Sequence, residues 1–116
     1  MSRPKPLESA EIADRLKGLS GWAVTNDKLH REFTFADFVE AFRFMTGAAF
    51  EAERLQHHPE WSNVYNRVTV DLVTHDTRGI TALDVDLARR MQQLAGPAGR
   101  GASPSSRAAP VPSASR

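Results

Sequence analysis

The sequence predicts an α+β fold, with elements in the order α-β-β-α-β-α, or α-β-β-α-β-β-α if a bend near Asn66 divides the third strand. Three observations carry this. Apolar residues recur at helical spacing in three segments, each opening on a polar residue suited to capping. Alternating apolar and polar residues flank Asn26-Asp27, the pattern of a hairpin, so the first two strands are antiparallel. A second alternating run, Val68 to His75, lies between the second and third helices.

The first helix is SAEIADRLKG, with Ser9 as its N-cap, Gly18 as its stop, and Ile12 and Leu16 on one face. The hairpin WAVTNDKLHREFTF follows; Leu29, Arg31, Phe33 and Phe35 alternate with His30, Glu32 and Thr34. The long helix runs from Ala36 to Leu55, with Thr34 and Asp37 resembling a capping box. Its stripe Phe38, Phe42, Met45, Ala49 and Ala52 is expected to cover the sheet. A second stripe, Ala41, Phe44, Ala48 and Leu55, is expected to face a second copy of the chain. In the strand run, Val68, Val70, Leu72 and Thr74 alternate with Thr69, Asp71, Val73 and His75. The last helix, TALDVDLARRMQQLAGP, is capped by Thr81 and ended by Gly96-Pro97, and Val85, Ala88, Met91 and Leu94 form its buried stripe.

At 116 residues the chain has room for one core, expected within residues 1–95. Residues 96–116 are Gly, Pro, Ala and Ser with three arginines and one valine, and are expected to be disordered. Without those arginines the body carries 12 basic and 14 acidic side chains, and this mild acidity argues against nucleic acid as a partner. No apolar run is long enough to span a membrane, and the N-terminus lacks the apolar core of a signal peptide. With no cysteine there is no disulfide, thiolate metal site or thiol nucleophile; a reducing cytoplasm is the expected setting.

Three of the four histidines, His57, His58 and His75, fall within twenty residues. Pro59 pushes His58 out of the α region, so His57 and His58 sit on a helix-to-strand connection, while His75 lies at the far end of the next strand. Surface histidines without a role are one reading. A metal site is a second, with Glu53, Asp76 or Asp84 as a carboxylate ligand, but no His-x-x-x-His pair lies on a helix face and adjacent histidines rarely chelate one ion. An acid–base site is the third. Imidazole titrates near neutrality, and two or three around a cleft suit a dehydration, in which one group protonates a leaving hydroxyl and another removes a proton.

The run Glu53-x-x-x-His57-His58-Pro59-Glu60-Trp61, followed by Asn63-Val64-Tyr65-Asn66, Thr74-His75-Asp76 and Asp84, resembles the pterin-4a-carbinolamine dehydratase family over about Leu16 to Leu94, including Gly21-Trp22. The resemblance implies a four-stranded antiparallel sheet with three helices packed on one face, and so favours the seven-element order. It implies dehydration of 4a-hydroxytetrahydropterin to quinonoid dihydropterin, which recycles the cofactor of aromatic amino acid hydroxylases such as phenylalanine hydroxylase, without metal or organic cofactor. His57 and His75 match the acid–base histidines, and His58 matches one that orients the pterin. Glu53 matches a carboxylate beside the first histidine. Pro59 and the backbone from Thr74 through Asp76 to Thr77 match substrate contacts, and Trp61 and Trp22 match either pocket walls or core. Asp84 is expected mainly to stabilise its helix N-terminus. Arg78-Gly79-Ile80-Thr81 departs from the Gly-Gly-Leu-Thr run common in the family. Homodimers or homotetramers are implied as well. A binding or dimerisation module that kept this fold without activity is the alternative.

Overall fold

Asn26 and Asp27 both take left-handed backbone (φ 53° and 63°), the conformation a two-residue hairpin turn needs and one that their short polar side chains tolerate. The structure is a computed structural model that describes residues 5–96. Its elements are α1 (Ser9–Leu16), β1 (Ala23–Thr25), β2 (Lys28–Thr34), α2 (Phe38–Leu55), β3 (Glu60–Val64), β4 (Arg67–Leu72) and α3 (Ala82–Ala95). The seven-element α+β order is therefore the observed one, with the third strand divided at Tyr65-Asn66. The segment from Pro97 onward, expected to be disordered, lies outside the described residues.

All strand pairs are antiparallel, in the order β1-β2-β4-β3. The central ladder runs from Leu29 opposite Leu72 to Thr34 opposite Arg67. Alternation sends Leu29, Phe33, Val68, Val70 and Leu72 to one face, where all are fully buried beneath the helices. Phe33 is the centre of an aromatic cluster, with ring centroids 5.9 Å from Trp22, 6.1 Å from Phe35 and 4.6 Å from Phe44. Each such pair adds about 0.5–1.5 kcal/mol to the burial itself.

Arg31 shares this inward face, as the alternation predicts, and is only 5% exposed. A buried guanidinium needs acceptors. Its Nη1 donates to the Ser20 carbonyl at 2.8 Å and to the Gln92 side chain, and the group sits 4.3 Å from the centre of the Phe33 ring. Gly21 allows this: its φ is 91°, and a Cβ there would lie 2.7 Å from the guanidinium.

The two stripes of α2 are exchanged relative to expectation, except that Ala52, expected to face the sheet, is buried as expected. Ala41, Phe44, Ala48 and Ala52 are buried, and Leu55 is half-buried against the core, while Phe38 and Phe42 are 48% and 54% exposed, Ala49 is exposed and Met45 is half-buried. The small residues bring α2 close to the sheet and to α3, and one aromatic, Phe44, fills the space they leave. The close approach that these small residues permit is used within the chain, against the sheet and α3. On α3, Leu87 is buried and Leu94 is 45% exposed, again against expectation.

The caps differ in detail. Glu8, not Ser9, caps α1 in a reciprocal pair with Glu11. Asp37 alone caps α2, accepting from the Glu40 amide at 2.9 Å. Thr81 caps α3 as expected, in a capping box with Asp84. β4 stops at Leu72, short of the expected end at His75; Thr74 instead forms an isolated bridge with Gly79.

Candidate active site

Hairpin geometry brings the histidines to one end of the sheet. β3 and β4 pair from Val64 opposite Arg67, next to their turn, to Glu60 opposite Asp71 at the open end. His57, His58 and Pro59 lead directly into β3, and Val73 to Thr77 leave β4, so both connections emerge side by side. The exit from α2 is fixed by Gln56, which is left-handed (φ 54°). Its amide and that of His57 return to Glu53 and Ala52 carbonyls at 3.2 and 3.0 Å, closing the helix end.

Asp84 joins the two connections. It is fully buried, and His57 beside it is 8% exposed. Asp84 Oδ1 lies 2.5 Å from His57 Nε2. Asp84 Oδ2 accepts from the Thr74 hydroxyl at 2.9 Å and from the Thr81 amide at 2.8 Å. The proton order follows. Thr74 donates to Asp84, so at the 2.8 Å contact between the two threonine hydroxyls Thr81 is the donor. Thr81 Oγ1 in turn accepts from the Leu83 amide at 3.2 Å. The network is internally satisfied, and the α3 N-terminus adds its positive end.

The other two rings are exposed but carry carboxylates too. His58 Nε2 is 2.6 Å from Glu53 Oε2. His75 Nε2 is 2.9 Å from Glu60 Oε2, whose other oxygen is 2.6 Å from Lys28 Nζ. The hydrogen bond from Lys28 is the main cause that holds the Glu60 carboxyl below its ordinary range; burial opposes it, and the charges of Lys28 and His75 and the hydrogen bond from His75 add to the lowering. The same bond raises the Lys28 ammonium above its ordinary range. All three imidazoles thus present Nε2 to a carboxylate.

Of the remaining candidates, Pro59 is half-buried between His58 and β3, and Thr77 turns its hydroxyl back to the Thr74 carbonyl at 3.3 Å. Asp76 is exposed in the turn after His75. Trp61 faces the helices opposite Val70 and packs half-buried against the core, and Trp22 is in the core with its Nε1 3.2 Å from the Gln92 side-chain oxygen. Two assignments change. The carboxylate on His57 is Asp84 rather than Glu53, and Asp84 does more than stabilise a helix end. Glu60 stands in the sequence motif without a role of its own; its place directly after Pro59, at the start of a strand, is the signal that could have marked it. A separate groove of about 390 Å³ between α2 and α3 contains no histidine, and its Arg90 is matched by Glu51 and Asp86.

A sheet covered on one face by helices, with imidazole–carboxylate pairs gathered at one end, defines a small α+β protein with a histidine cluster at its sheet end. Residues 5–94 match the family model for pterin 4 alpha carbinolamine dehydratase. A relative from Solibacter usitatus, provisionally named pterin-4-alpha-carbinolamine dehydratase, is 57% identical over 89 residues, covering 77% of this chain and 94% of its own. Another of the same name from Sinorhizobium medicae is 50% identical over 95 residues, with 80% and 90% covered. The crystal structure of a transcriptional coactivator/pterin dehydratase from Brucella melitensis aligns with a TM-score of 0.77 at 46% identity, over 79% of this chain and all of that one. The chain belongs to the pterin 4 alpha carbinolamine dehydratase family, whose activity is that of a hydro-lyase.

Proposed function

We propose that this protein dehydrates 4a-hydroxytetrahydropterin to quinonoid dihydropterin and water, with His57 and His75 as the proton-transfer groups and His58 orienting the pterin. The observation that carries this is the convergence of three imidazoles at one sheet end, each backed through Nε2 by its own carboxylate. One protonated imidazole gives its proton to the 4a-hydroxyl, the C4a–O bond breaks, and water leaves. A second, neutral imidazole takes the N5 proton as the C4a–N5 double bond forms. One proton is given and one taken, so the protein returns to its starting state after exchange between the two rings or with solvent. Pro59 and the backbone from Thr74 to Thr77, with Asp76 exposed among them, border the same space and supply shape and carbonyl and amide contacts.

The reaction serves recycling of a tetrahydropterin cofactor, as used by phenylalanine hydroxylase, in the cytoplasm. Assembly follows the apolar surface left by α2. Phe38, Val39, Phe42 and Phe50 are each about half exposed or more on one helix, a surface that a second copy would bury. A homodimer or homotetramer results. The test is the rate of quinonoid dihydropterin formation from enzymatically generated carbinolamine, with and without the protein. Acceleration supports the reading; an unchanged rate with folded protein refutes it and leaves the non-catalytic module.

A further inference from the structure

We infer that Glu60, anchored by Lys28, is a positioning residue that holds His75 in one orientation and one tautomer, Nε2–H toward Glu60 and Nδ1 toward the substrate. This rests on the assignment of His75 as a proton-transfer group.

His57 needs no such device, because it is buried and its partner Asp84 is fixed by two further donors, the Thr74 hydroxyl and the Thr81 amide. His75 has the opposite problem. Its side chain is 75% exposed and it stands on a turn after β4, where nothing in the core fixes its ring. An exposed imidazole samples several rotamers and both tautomers, and a proton-transfer group must be within hydrogen-bond reach in a defined state. Glu60 supplies that definition from a rigid element. It is the first residue of β3, in register with Asp71 of β4, so its backbone is set by the ladder. Its two oxygens have different tasks: Oε2 meets His75 Nε2 at 2.9 Å, and Oε1 meets Lys28 Nζ at 2.6 Å. Lys28 is the first residue of β2, so the carboxylate is held between two strands of the sheet before it meets the ring.

The charges around Glu60 agree with this division. Asp71 lies directly across the ladder, but His30 Nδ1 is 2.8 Å from its carboxylate, so Asp71 has its own partner. Lys28 keeps Glu60 ionised, and an ionised carboxylate only accepts; the ring nitrogen facing it must carry the proton. The nitrogen left for the pterin is then Nδ1.

The test combines a double-mutant cycle with ring ¹⁵N spectroscopy. Glu60→Ala, His75→Ala and the double variant are assayed for carbinolamine turnover, and the His75 ring nitrogens are recorded in ¹⁵N-histidine-labelled wild type and Glu60→Ala. Glu60→Ala is expected to lower kcat about 10-fold with KM within about twofold, a fraction of the 10²–10⁴ of an acid–base group itself. In the His75→Ala background the same change should cost nothing further. The wild-type ring should be in the Nε2–H form, and an Nδ1–H population should emerge in Glu60→Ala. Lys28→Met should move both readouts the same way by less. Identical His75 tautomer populations in wild type and Glu60→Ala overturn the inference, as does an equal loss of kcat in both backgrounds. If His75→Ala turns over like wild type, the assignment of His75 has failed instead, and the ¹⁵N spectra still decide whether Glu60 sets its tautomer.

Discussion

Asp84 and His57, 27 positions apart in sequence, meet at 2.5 Å through Oδ1 and Nε2, with the carboxylate fully buried and the ring mostly so. The other Asp84 oxygen holds Thr74, the neighbour of His75. One buried carboxylate therefore fixes the loop that carries two of the histidines against the loop that carries the third. Moving either loop breaks a bond to the same group.

Replacing His57 by Ala should lower dehydration by about 10²–10⁴-fold while the protein stays folded. Asp84→Asn, which puts an amide donor where one of the three present donors now points, should lower activity and also stability, by about 1–3 kcal/mol. Steady-state turnover and thermal melts of the two variants check this. Wild-type turnover in His57→Ala, or an unchanged melt in Asp84→Asn, would contradict it.

The exchanged stripes of α2 make a paired prediction. Phe44 is 5% exposed beside Phe33 and Phe35, so Phe44→Glu should unfold the chain. Phe42, 54% exposed, should accept Glu without unfolding, and if the proposed assembly forms through this face the variant should lose mass in light scattering. A folded Phe44→Glu would return the stripes to the arrangement the sequence alone suggests.

Lys28 and Glu60 set a pH window. The Glu60 carboxyl is depressed below its ordinary 4.5, so its contribution to stability is present above that pH and lost as pH falls through the folded value. The Lys28 ammonium is raised above 10.5, so its contribution is present below that pH and lost as pH rises through the folded value. Lys28→Met should therefore lower the melting temperature slightly between about pH 5 and 10, as expected for a pair this exposed. The difference from wild type should vanish near pH 3. A constant difference across pH would assign it to packing.

Arg78 has a φ of 59°, the left-handed region that suits glycine, at the first position of the run where family members often carry Gly-Gly. Arg78→Gly should stabilise by up to about 1 kcal/mol, after the greater freedom of glycine in the unfolded chain is allowed for. A lower melting temperature would mean that the arginine side chain makes a contact outweighing the backbone cost.

Much of this was legible in the sequence because local rules and tertiary packing agreed. The Asn26-Asp27 hairpin, the inward Arg31 and the Thr81–Asp84 box each follow from spacing within a few residues. The phase of α2 was not legible, because two apolar stripes compete on one helix. The choice between them depends on how closely α3 and the sheet approach, which no local pattern encodes. The same holds at the site. The three histidines stood out by type and by Pro59, but their carboxylates were assigned by nearness in sequence. Glu53 was given to His57, whereas the fold gives it to His58 and brings Asp84 from the next helix.

The hairpin turn at Tyr65-Asn66 lies at the opposite end of the sheet from the histidines, and so does the Phe35 amide bonded to the Asn66 carbonyl at 2.9 Å. During folding, the β3–β4 ladder closes its smallest loop at Val64–Arg67, and the β2–β4 ladder closes its smallest loop at Thr34–Arg67. Both therefore zip toward Glu60 and Leu72, because short closures cost least entropy. The rungs that bring His57 and His75 together should then form last. Turnover should thus be the final property recovered on refolding, after helical signal and core fluorescence have returned.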